Sequence, residues 1–251
     1  MAFIQQIQAF ASRLLPAPSP DGTVVNLRAN RYGDVMAQPV ITKKHVLADE
    51  GTYFVCTNPT PGTAIAGPII SAYSSTGPWF VFQNNNPAGA ARAYLDYLKI
   101  IVTTVAASGT QAYFSVVRDQ ISRALTTDNT TTATPVNVNG DSGNQSKCIF
   151  KYDATTINVA AAATPQAAVV ARAATGGIGV IGDELVLDFG ATDPSPYSGL
   201  TAAQATCAAR KVSVCPPVIV APQQQIFFNM WFPSNASTGL SYEFELGFWE
   251  R

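Results

Sequence analysis

FFNMWFPSNASTGLSYEFELGFWER, residues 227–251, carries eight aromatic side chains and runs to the last residue. Its second half alternates. If SYEFELGF is extended, Tyr242, Phe244, Leu246 and Phe248 point one way, and Glu243, Glu245 and Gly247 point the other. That is a half-buried strand. Just upstream, in IFFNMWF (226–232), Ile226, Phe228, Met230 and Phe232 form one side and Phe227, Asn229 and Trp231 the other. Both sides are largely apolar, so this strand is expected to be central or covered on both faces. PSNASTG (233–239) between them is a surface turn. Most of the aromatics are thereby assigned to the closing strands of a β-sandwich. Trp231 and Trp249 fall on the faces opposite the core series. Trp249, with Glu250 and Arg251 beside it, is placed at a subunit boundary.

The same grammar runs back along the chain. TYFVCT (52–57), WFVFQ (79–83), RAYLDYLKIIVTTVAA (92–107), QAYFSVVRDQISRAL (111–125), KCIFKYDATTINVAAA (147–162), AAVVARAA (167–174), GVIGDELVLDFG (179–190) and VSVCPPVIVAPQQQIFFNMWFP (212–233) read as strands or strand pairs. Turns rich in Gly, Pro, Asn and Ser separate them. TTDNTTTATPVNVNGDSGNQS (126–146) is an exposed loop or β-excursion with one brief strand at PVNV. Eight to ten short strands, few helices and no βαβ rhythm give an all-β fold, an antiparallel sandwich. The N-terminus differs. Phe3, Ile4, Ile7, Phe10 and Leu14 recur at helical spacing until Pro16, Pro18 and Pro20 stop the pattern. Residues 1–22 are therefore an amphipathic helix or arm with a Pro-rich linker, and 23–251 one sandwich domain. So short a helix is marginal alone and needs a surface to dock on, its own body or a neighbour.

Charged residues make up only 12% of the chain and the net charge is −1, so no polybasic nucleic-acid surface is expected. A surface this poor in charge is weakly protected against self-association, which fits a protein buried in an assembly. No apolar run reaches bilayer length, so no transmembrane segment is expected. The N-terminus lacks a positive region and a continuous apolar core, so it is not read as a signal peptide.

The residues that usually carry catalysis are sparse. His45 is the one histidine, so histidine-based metal clusters and ordinary triads have no second member. Cys56, Cys148, Cys207 and Cys215 form no CxxC pair; Cys207 and Cys215 are close enough in sequence to bridge a loop, which the sequence leaves open. GGIGVIG (176–182) lacks the Lys-Ser/Thr and the helix that a phosphate loop needs. Glu243 and Glu245 share a strand face about 7 Å apart, within the spacing of glycosidase carboxylates but equally that of a solvated face. Asn129, Asn144 and Asn235 head glycosylation sequons that matter only on a secretory route. No cofactor, metal or enzymatic activity is expected. The three tryptophans, Trp79, Trp231 and Trp249, are the candidates for stacking a sugar ring.

The order of features resembles single jelly-roll virion proteins, the capsid proteins and the trimeric cement or head-decoration proteins of bacteriophages. The likeness rests on the short N-terminal arm, the Thr/Asn/Gly-rich excursions, AARAYLDYLKIIVTTVAA (90–107) as an early body strand, and APQQQIFFNMWFPSNASTGLSYEFELGFWER (221–251) as the closing pair. It implies a jelly-roll β-sandwich located in the virion. It also implies a homo-oligomer, a trimer or part of a larger shell, contacting other capsid proteins. On that reading Phe3, Ile4, Ile7, Phe10, Leu14, Trp231, Trp249 and Arg251 are the assembly-interface residues. The alternative on the same fold is a carbohydrate-binding, lectin-like module such as a receptor-binding or adhesion protein.

Overall fold

The computed structural model describes residues 43–67, 70–104, 113–119, 131–152, 157–160, 166–172, 181–190, 210–232 and 241–251. The expected N-terminal helix with Phe3, Ile4, Ile7, Phe10 and Leu14, and the linker after it, lie outside these residues. Within them the chain forms helix α1 (Lys43–Asp49) and strands β1 (Tyr53–Thr57), β2 (Ile65–Ala66), β3 (Phe80–Asn84), β4 (Ala93–Thr104) and β5 (Tyr113–Asp119). Then come β6 (Thr131–Ala133), β7 (Val136–Asn137), β8 (Cys148–Tyr152), β9 (Gln166–Arg172) and β10 (Glu184–Phe189). The last are β11 (Arg210–Cys215), β12 (Ile219–Val220), β13 (Gln225–Trp231) and β14 (Ser241–Glu250).

The strands make two sheets. One has the order β11-β10-β4-β14-β1-β7, with β12 on β4 and β2 on β14; the other has the order β6-β8-β3-β13-β5-β9. All pairs are antiparallel except β10 with β11. The all-β sandwich expected from the sequence is the observed architecture.

The two sheets share one core. From the eight-stranded sheet come Leu98, Ile100 and Val102 of β4 and Tyr242, Phe244, Leu246 and Phe248 of β14; from the six-stranded sheet come Phe80, Phe82, Ile226, Phe228 and Met230. The alternation read in SYEFELGF is the alternation of burial in β14. Rings interlock across the layers: Phe80 lies 5.1 Å from Phe150, 5.4 Å from Phe244 and 5.6 Å from Tyr242. Each such side chain contributes about 1.5–3 kcal/mol by leaving water, and edge-to-face contact adds to this.

β13 is central in its sheet and buried on both faces. Its outward Phe227 joins Val81, Val117, Ile157 and Val159 in a second apolar cluster. The cover is a short segment held by the Ile157 N–H on the Pro78 carbonyl at 2.8 Å and the Val159 N–H on the Thr76 carbonyl at 3.0 Å. The long apolar reading of 147–162 thus divides into β8 and this covering strip.

Between Ala93 and Val102, β4 breaks its alternation once. Leu95 and Leu98 both face the core, three positions apart rather than two. Tyr97 pairs with Gly247 and Leu95 with Phe248, so Asp96 is the extra residue of a β-bulge. The bulge turns a carboxylate toward the outer side of the sheet.

Helix α1 was not foreseen in HVLADEGTYFVC. Gly51, at φ +66°, ends it in a Schellman motif. The Thr52 N–H bonds the Leu47 carbonyl at 3.0 Å and the Gly51 N–H bonds the Ala48 carbonyl at 2.9 Å. The asparagine-rich stretch after β7 completes the cap. Asn139 Nδ2 donates to the Asp49 carbonyl at 3.2 Å, and Asn137 and Asn144 Nδ2 donate to the Gly51 carbonyl at 2.9 and 3.2 Å. A Cβ on Gly51 would collide with Ser142.

Candidate interaction surfaces

The outer face of the eight-stranded sheet is built by the residues that alternate away from the core. Register places Ile219, Tyr94, Trp249 and Tyr53 in one row across β12, β4, β14 and β1. The Tyr94 and Trp249 rings stack with centroids 5.5 Å apart and planes 1° from parallel. Both are half-buried, and Ile219 beside them is 42% exposed. The row ends at Tyr53, which is buried and donates its hydroxyl to Asp96 Oδ2 at 2.6 Å. Lys44 Nζ of α1 reaches the same oxygen at 2.8 Å. Burial first, and the bond to Asp96 next, push the Tyr53 phenol far above its ordinary range.

The next row centres on Gly247. A Cβ there would lie 2.5 Å from Cε1 of Tyr97 and 2.6 Å from the Tyr53 hydroxyl, so only glycine lets the two rings close over the strand. The Lys44 ammonium sits 5.6 Å from the Tyr97 ring centre. Beyond it, Glu245 accepts the Tyr97 hydroxyl and pairs with Lys99 at 2.7 Å. Glu243 Oε1 accepts the Gly62 N–H at 2.6 Å. The two carboxylates weighed for glycoside chemistry are therefore bound separately, one to a loop and one to Tyr97 and Lys99. This polar network ties α1 to the sheet through the bulge.

No family model, curated protein or solved structure matches this chain.

On the outer face of the six-stranded sheet, Trp231 pairs in register with Tyr113. Their rings stack at 5.6 Å with planes 19° apart, and Tyr73 meets Trp231 edge-on at 5.6 Å. Tyr73 comes from the loop before β3, anchored by the Phe232 N–H on the Ile70 carbonyl at 2.8 Å. Its ring is 43% exposed. One register step along, on the same face, Asn229 pairs with Ser115. Both are buried, and among the described residues neither Asn229 Oδ1 nor Ser115 Oγ has a hydrogen-bond partner.

Trp79 requires a correction. It is not offered to a ligand: its side chain is 1% exposed, stacked on Phe80 at 4.3 Å and edge-on to Tyr242 at 4.4 Å. It precedes β3, where strand alternation does not yet hold, and its ring turns inward with that of Phe80. Arg251 is exposed and exchanges backbone hydrogen bonds with Arg92 at 2.8 and 2.9 Å.

Among the described residues no three His, Cys, Asp or Glu side chains are placed to hold a metal, and no helix is long and apolar enough to cross a membrane. His45 is exposed on α1. Cys56, Cys148 and Cys215 are buried. Burial pushes all three thiols up, that of Cys215 to about 11 with help from Asp188. Cys207 lies outside the described residues.

Of the predicted surface residues, Trp231 and Trp249 stand on the outer faces of different sheets and do not form one patch. Sequence reasoning missed their ring partners, Tyr94 for Trp249 and Tyr113 with Tyr73 for Trp231. It also missed the bulge. The bulge had a signal, the three-residue spacing of Leu95 and Leu98 inside an otherwise alternating strand; the ring partners depend on register, which the sequence does not carry.

Proposed function

We propose that this chain is a structural virion subunit, a jelly roll that assembles with copies of itself into or onto a viral shell. The observation that supports this reading is the pairing order of eight strands. Setting aside the short or added strands β2, β6, β7, β8, β11 and β12, the first four pair with the last four in reverse: β1 with β14, β3 with β13, β4 with β10, and β5 with β9. That is one long hairpin. Rolling it up brings β14 beside β4 and β13 beside β5, the neighbours that a jelly roll's double Greek key calls for; this supports the jelly-roll reading. The excursion between β5 and β9 supplies β7 to the edge of β1 and β8, then β6, to the edge of β3. It widens both sheets and moves their edges outward.

Jelly rolls also serve lectins and cupins, so the pairing order alone does not select a function. The low share of charged residues and the apolar row of exposed Ile219 with half-buried Tyr94 and Trp249 favour assembly. In this reading that row, flanked by Arg92 and Arg251, is the subunit contact. The apolar N-terminal segment with Phe3, Ile4, Ile7, Phe10 and Leu14 adds a second one. The expected product is a homo-oligomer, a trimer in the first instance.

Sedimentation equilibrium at micromolar concentration tests this. The proposal expects a trimer or larger species that dissociates on Trp249→Ala with Arg251→Glu. A monodisperse monomer, together with absence of the chain from purified particles examined by negative-stain microscopy, would overturn it.

A further inference from the structure

We infer that the corner formed by Trp231, Tyr113 and Tyr73 on the outer face of the six-stranded sheet is a saccharide subsite, with Asn229 and Ser115 as its polar floor. This does not rest on the virion reading and would hold for a jelly roll of either kind.

Two independent observations meet here. The first is the ring geometry. Trp231 and Tyr113 stack side by side across β13 and β5, and Tyr73 stands against Trp231 with its plane at 70°. The result is an angled aromatic surface, open enough to leave Tyr73 43% exposed. Tyrosine and tryptophan present an apolar face together with a polar tip. That suits a pyranose, whose C–H face is apolar and whose edge carries hydroxyls.

The second is the pair just inward on the same face. Asn229 is 3% and Ser115 4% exposed, and among the described residues Asn229 Oδ1 and Ser115 Oγ have no partner. A buried polar atom left unsatisfied costs about 1–3 kcal/mol, and such groups call for an explanation such as a missing partner. An amide oxygen beside a hydroxyl accepts from, and donates to, the paired hydroxyls of a sugar. A purely apolar protein contact would leave both oxygens unsatisfied. Aromatic lining with a few placed polar groups is the usual composition of a small-molecule site. Both oxygens are shut from solvent, so a ligand edge must displace what covers them, and Trp231, on the same face of β13, reports the event.

The test is saturation-transfer NMR on the full chain. The probes are the methyl glycosides of glucose, galactose, mannose, N-acetylglucosamine and N-acetylneuraminic acid. At least one glycoside is expected to receive saturation on its C–H protons. That transfer should fall at least fivefold in Tyr73→Ala and in Trp231→Ala, and also fall in Ser115→Ala. It should persist in Ile181→Ala, a change at an exposed site elsewhere. Should Trp231→Ala fail to fold, Tyr73→Ala in its loop decides alone. Absence of transfer to all five glycosides overturns the inference. So does transfer undiminished in Tyr73→Ala. A wild-type protein silent to sugars, whose sedimentation changes in Tyr73→Ala, would overturn it in favour of a protein contact at this corner.

Discussion

Gly247 shows how much can hang on one hydrogen. It sits where two tyrosine rings cross a strand, and a methyl group would overlap both. Gly247→Ala is therefore expected to destabilise the fold by about 1–3 kcal/mol, the usual cost of overpacking, read as a lowered urea midpoint with unchanged slope. Asp96 gives a complementary case. Asp96→Ala strands the buried Tyr53 hydroxyl, at a cost of about 1–3 kcal/mol. Tyr53→Phe in the same chain removes the stranded group, so the double variant should be more stable than Asp96→Ala alone. A double variant no better than Asp96→Ala would mean that the hydroxyl is not the cause. At this scale the sequence was legible where period-2 alternation is unbroken, as in Tyr242, Phe244, Leu246 and Phe248. It was illegible at Trp79, which lies outside the strand it introduces, and at Asp96, where the extra residue of the bulge redirects a side chain.

Among the elements, the strands were readable because each buries one face or two, and both patterns leave a mark in composition. Helix α1 was not. Seven residues make two turns, too few for a helical period to stand out, and so short a helix is not stable by itself. Its stability comes from partners distant in sequence: Asp96 of β4 holds Lys44 near its start, Asn139 holds the Asp49 carbonyl, and Asn137 and Asn144 hold the Gly51 carbonyl just beyond it. The signal that was present is Gly51, a stop followed directly by a strand. Gly51→Ala would force an L-residue into the left-handed region and into Ser142. The expected outcome is loss of hydrogen-exchange protection at the amides of Glu50, Gly51 and Thr52, with β13 and β14 protected as before. Protection retained at these three amides would show that the cap does not depend on the glycine.

For the whole molecule, the class of fold followed from counting strands, while the partner of each strand did not. The pairs β1 with β14 and β3 with β13 join residues far apart in sequence, and nothing local encodes them. Whole-molecule stability should also have a defined alkaline limb. The thiols of Cys56, Cys148 and Cys215 and the Tyr53 phenol are all held above their ordinary values, chiefly by burial. Each stays protonated in the fold while its unfolded counterpart ionises. Above pH 9.0, the ordinary thiol value, the unfolded state binds fewer protons, so stability falls as pH rises, by about 1.4 kcal/mol per pH unit for each thiol. The fall due to Cys215 ends near pH 11. At pH 7 both states hold these protons and the groups contribute almost no slope; the fall begins as the unfolded thiols start to ionise and steepens through pH 9. Urea midpoints measured from pH 7 to 10.5 check this, and a midpoint still rising above pH 9 would contradict it. Iodoacetamide should likewise leave the three buried thiols unmodified until urea opens the core, since the thiolate is the reactive form.

The position of β14 between β1 and β4 has a consequence for how the chain is born. A ribosome releases residues in order, at roughly 5–20 per second, and 241–250 follow all the other strands. Until they emerge, β1 and β4 have no strand between them, and Phe80 lacks the Tyr242 and Phe244 rings that pack against it. Closure of the eight-stranded sheet then waits for residues 241–250 to leave the ribosome. A chain released at residue 240 should bind a holdase chaperone and remain sensitive to protease, and one that includes residues 241–251 should do neither.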